Sequence, residues 1–127
     1  MSFFGFKSSK KAFREAIETD FENNITNFMD KNDTTRYQAY THFENLFNEN
    51  RAYDSLSDIF DGLSKGLCHA PSGQSVWESD KKMINKEMFA HMFETYMGGS
   101  DERRNIWEEM MPLSTAIFRE MIQKEIK

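Results

Sequence analysis

The chain is poor in residues that interrupt or cross-link a fold. Its 127 residues include two prolines, six glycines and one cysteine. A lone thiol, Cys68, cannot form an internal disulfide and fits a reducing compartment. With only Pro71 and Pro112, and no low-complexity stretch, nothing marks a linker between domains. No apolar run approaches the ~18–20 residues that cross a bilayer. In the N-terminal MSFFGFKSSKK the charges follow the apolar residues and no small-residue cleavage site appears, unlike a secretion signal. Basic excess is missing as well: 16 Lys and Arg stand against 21 Asp and Glu, a formal net charge of −5. That balance argues against a nucleic-acid partner. The β-branched alternation of strands is nearly absent.

What is present is aromatic and sulfur-rich. Mean hydropathy is −0.73, which alone describes a polar, loose chain. Yet 12 Phe, 4 Tyr, 2 Trp and nine Met are a load that disordered chains do not carry. The expectation is one folded domain over 1–127 with a Phe/Met core, a length typical of single domains. Residues 1–7 read as peripheral and 67–80 as a central loop.

Periodicity gives an all-α bundle of five to six helices. The first starts at Ser8 or Ser9 and carries Phe13, Ile17, Phe21, Ile25 and Phe28 at i+4 and i+3, widened by Ala12, Ala16 and Met29, ending near Asp30. The second follows Asp33 or Thr34, with Tyr37, Tyr40, Phe43, Leu46 and Phe47 as its stripe. The third begins at Asp54 or Ser55, turns Leu56, Ile59, Phe60 and Leu63 inward, and stops at Gly66, where glycine suits the left-handed conformation past a helix end. The loop that follows allows a short β excursion at 75–77. The fourth runs from Lys82 to Met97 and meets Gly98-Gly99. Ser100 caps the fifth, with Asp101 and Glu102 suited to its N-terminal dipole. Pro112 breaks or restarts the helix, and Leu113, Ala116, Ile117, Met121 and Ile122 form the last stripe.

The fourth helix is unusual. On a helical wheel Phe89, Met92, Phe93 and Tyr96 gather on one side and Glu87, His91 and Glu94 on the other, flanked by Met83, Ile84, Met88 and Met97. So wide an apolar band predicts a helix covered on more than one side. A carboxylate and an imidazole at i, i+4 have the spacing of a zinc half-site. The same spacing also describes an ordinary polar face with one side-chain contact. His69 follows Cys68 in the loop, but adjacent side chains rarely meet and no orienting group is evident, so the expectation is a partly buried cysteine beside a surface histidine. The sequence contains no HExxH, GxSxG, phosphate-binding glycine loop or CxxC.

Two segments are more specific. YDSLSDIFDGLSKGLCHA, residues 53–70, and NKEMFAHMFETYMGGSDERRNIWEEMMP, residues 85–112, resemble the C-terminal zincin-like metallopeptidase-type domain of phage head-morphogenesis (minor capsid) proteins and related bacterial toxins. FREAIETDF, residues 13–21, is similar to the helix that precedes both. The resemblance implies a zinc site in which Glu87 is the third ligand and His69 the histidine of a "GH" pair, with Asp58 a supporting or helix-capping acid. It also implies an HExxH helix upstream, supplying two ligands and the general base, which this sequence lacks. The expectation is a truncated, split or decayed domain that binds a capsid or portal protein, or a complementary fragment, in a bacterial cytoplasm or phage particle, with no cofactor, nucleic acid or membrane. Two alternatives stand beside it. One is a small zinc-dependent hydrolase using His69, Glu87 and His91. The other is a generic helical module that neutralises a toxin or modulates a host protein.

Overall fold

A computed structural model describes residues 9–68 and 81–126. They form six α-helices: α1 Ser9–Asn32, α2 Arg36–Glu49, α3 Asp54–Leu63, α4 Lys81–Gly98, α5 Asp101–Met110 and α6 Pro112–Ile126. A short 3-10 turn, Arg51–Tyr53, precedes α3. The expected all-α bundle is therefore what the described residues adopt. Residues 75–77, where a β excursion was expected, lie outside them.

The helix ends follow local chemistry. Asp33 is the left-handed residue after α1 (φ 48°), and the Thr34 N–H donates to the Met29 carbonyl at 3.1 Å. That bond closes the last turn of a helix end. Asp33 therefore ends α1 and does not cap α2; the cap is Thr35, whose Oγ1 accepts from the Gln38 N–H at 3.2 Å. At the end of α3 the first left-handed residue is Lys65 (φ 57°), with Gly66 (φ 85°) after it. The Gly66 N–H then reaches back to the Asp61 carbonyl at 2.8 Å. Ser100 caps α5 as expected, its Oγ accepting from the Arg103 N–H at 3.2 Å. Pro112 restarts the chain as the first residue of α6. Its missing N–H costs nothing there, because first-turn donors have no partner within the helix.

The 24-residue α1 is the central element. Its stripe of Ala12, Phe13, Ala16, Ile17, Phe21 and Ile25 is buried. It runs antiparallel to α6: Ser114 at the start of α6 meets Asp20, and Phe118, one turn on, packs on Phe89, which in turn packs on Phe13 nearer the start of α1. Two aromatic groups pack around it. Phe60 takes Phe21 and Phe47 edge-on, each pair at 5.0 Å between centroids. Nearer the start of α1, Phe89 packs against Phe13 at 6.2 Å and Phe118 at 5.2 Å. Edge-to-face pairs of this kind contribute about 0.5–1.5 kcal/mol beyond simple burial.

Three stripes differ from the sequence reading. Tyr37 in α2 is exposed, and the inward face uses Ala39, Tyr40, Phe43 and Phe47. In α6, Leu113 and Ala116 face outward while Ser114, Thr115, Ile117 and Phe118 are buried. The reason is the restart at Pro112, which rotates the helix so that Ser114 turns toward Asp20. In α4 the inward face is Met88, Met92 and Thr95, so of the aromatic-side group picked out on the wheel only Met92 is fully buried.

Candidate functional site

The fourth helix carries the candidate residues, and its orientation decides what they can do. Turning Met88, Met92 and Thr95 inward places the aromatic side chains on one flank. Phe89 is half-buried there, and so is Tyr96, whose ring lies 5.7 Å from that of Phe118. Tyr96 also donates to Glu108 at 3.2 Å, and burial, with Glu108 nearby, pushes its phenol above the ordinary range.

Glu87 and His91 lie on the other flank, with Oε2 of Glu87 3.9 Å from Nε2 of His91. The His91 side chain is 22% exposed and that of Glu87 43%. This is the i, i+4 contact expected of a partly solvated helix face. A catalytic zinc usually takes three protein ligands and keeps one open position. Among the described residues no group of His, Cys, Asp and Glu is large enough to hold a metal. His69, the proposed ligand from the loop, lies outside the described residues. Among the described residues Glu87 and His91 therefore stand as a pair.

Asp58, the supporting or helix-capping acid of the resemblance, lies inside α3 and is half-buried. Cys68 is fully buried, and its backbone N–H donates to Ser64 Oγ at 2.9 Å. Burial pushes its thiol up to about 11. Near neutral pH the sulfur is therefore a protonated core group rather than a nucleophile.

Opposite the buried side, α4 presents Ala90, Phe93 and Met97 at i, i+3 and i+7. Ala90 is exposed, Phe93 is 43% exposed and Met97 66%. Lys86 and Glu94 border this stripe and are exposed too. The expected cover on more than one side is thus met by the inward face and the aromatic flank, and the outward face is open. The wide band had marked the helix, but a wheel alone does not say which part of a band is inward.

Sequence reading missed one polar site entirely. Asp20 is 1% exposed and accepts from the Leu113 N–H (3.2 Å), the Ser114 N–H (2.7 Å) and Ser114 Oγ (2.7 Å). It caps α6 from another helix, and beside it Asn24 donates to the Met110 carbonyl at 2.7 Å. Its signal was an acid at i+3 from Ile17 and i+7 from Phe13, in the middle of an apolar stripe. The site is structural: its acceptors are used on backbone and hydroxyl donors, which matches no recognisable reaction.

In comparisons with known proteins, no family model, curated protein or solved structure matches the chain.

Proposed function

We propose that this chain is a protein-binding helical domain that works without catalysis and binds through the outward face of α4. The observation that carries this reading is the Ala90–Phe93–Met97 stripe, a second apolar face on a helix whose first face is already buried. A large aromatic and a methionine in the open, at helical spacing, suit a surface that packs against another helix. The resemblance supplies the scaffold type, a zincin-like domain of phage or mobile-element origin without HExxH. It also supplies the partner classes, a capsid or portal protein or a segment carrying the missing motif.

The test places a photo-crosslinking residue on the face. Phe93→benzoylphenylalanine, irradiated in the native host, should give discrete protein adducts. The same residue at Asn27, exposed on α1, should not. Adducts should disappear when Met97→Asp is added. Failure of position 93 to exceed the Asn27 control would remove the basis for a binding face. Zinc-dependent proteolysis by the purified protein, lost in Glu87→Ala, would replace this reading with the hydrolase.

A further inference from the structure

We infer that the occupant of the outward face of α4 is a second copy of this chain, paired antiparallel across Ala90. The inference rests on the binding role proposed for that face and puts a second copy there in place of the partner classes that the resemblance supplies. The argument is one of charge and register. In a two-fold antiparallel pair centred on one residue, positions equally far before and after the centre lie side by side. Lys86 is four residues before Ala90 and Glu94 four residues after it. Centring on Ala90 therefore sets Lys86 of each copy beside Glu94 of the other, making two opposite-charge contacts related by symmetry.

Parallel pairing has the reverse result. It sets Lys86 against Lys86 and Glu94 against Glu94, which like-charge repulsion disfavours. The centre is also the smallest side chain of the stripe, so the helices can approach closely there. Phe93 lies on the same flank as Lys86 and falls near the level of Lys86 in the second copy. The lysine's methylene stem can then cover the ring while its charge reaches Glu94. Among the described residues neither Lys86 nor Glu94 is engaged in an ion pair, so neither must leave a partner to take up the new one.

A contact of about three helical turns is small, so the association should be weak and concentration-dependent. Sedimentation velocity of the full chain, from roughly 10 µM to 1 mM, spans that regime. The expected result is a monomer–dimer equilibrium. Lys86→Glu and Glu94→Lys, each placing like charges together, should raise the midpoint concentration by about tenfold or more. The double variant Lys86→Glu/Glu94→Lys should return it to within about threefold of the parent. Both positions are exposed, so the swaps leave the fold intact, and far-UV circular dichroism checks this. A chain that stays monomeric throughout would overturn the pairing. So would a dimer indifferent to the single swaps, or one that the double swap fails to restore. A monomer that still forms Phe93 adducts with a different protein would overturn the pairing while leaving the binding role intact. A monomer with no adducts would end both.

Discussion

Asp20 shows how one residue can tie two distant parts of the chain. Its carboxylate satisfies donors at the start of α6, whose first turn has no intrahelical acceptors. Asp20→Ala leaves two N–H groups and a hydroxyl near or within the core with no acceptor. Chemical denaturation at neutral pH should show a loss of about 2 kcal/mol. The pH dependence has a definite sign. Burial raises the Asp20 pKa, and the bonds from Ser114 and Leu113 lower it by less. The folded chain therefore holds this proton more tightly than the unfolded chain. The stabilisation from protonation is complete below the ordinary carboxylic range and is lost as pH rises through the raised native value. The stability gap between parent and Asp20→Ala should thus narrow from about pH 3 to pH 7. A gap that widens over that range would mean the hydrogen bonds outweigh burial.

At the scale of the element, α4 separates two kinds of apolar residue that look alike in sequence. Met92 is fully buried, and Phe93 beside it is substantially exposed. Met92→Asp puts an unpaired charge in the core and should cost several kcal/mol or abolish folding. Phe93→Asp should change unfolding stability by less than about 1 kcal/mol, because the ring has only partial burial to lose. The glycines that end the helix are also unequal. A Cβ on Gly99 would lie 2.6 Å from the Thr95 carbonyl oxygen and 2.8 Å from its Cα, both backbone atoms. One on Gly98 meets nothing within 4 Å. Gly98→Ala should therefore gain roughly 0.5–1 kcal/mol by restricting the unfolded chain. Gly99→Ala should lose stability, since the last turn must shift to admit the new carbon. Thermal melts of the two variants should move in opposite directions.

For the whole molecule, α1 contacts helices from both ends of the chain. It packs with α2 and α3 through Phe21 against Tyr40 and Phe60, with α4 through Phe13 against Phe89, and with α6 through Asp20 and Ser114. With one helix shared by both aromatic groups, neither can be lost alone at low cost, and unfolding should be cooperative. Cys68 is a built-in probe of this. Buried, and with its thiol pushed up to about 11, it should react with a thiol reagent at pH 8 far more slowly than a free thiol does. In increasing urea, labelling should follow the loss of helical circular dichroism along one curve. Early labelling, with helicity intact, would show instead that the α3 end opens by itself.

The elements were legible in the sequence because their signals are local. Periodicity placed the helices, Ser100 and Pro112 placed two of their starts, and the apolar stripe of α1 is the buried stripe of the structure. Such features depend on residues within a turn or two of one another. What the tertiary structure decided is the rotation of each helix about its own axis. Met88 and Met92 became core and Phe93 and Met97 surface because the neighbours of α4 lie on one side of it. Likewise, Ser114 and not Leu113 turned inward because α1 offers it Asp20, 94 residues away in the chain. A band that is apolar most of the way round has no preferred inward side of its own. Its buried face is chosen by whichever partners supply the best packing, and its remaining face stays exposed.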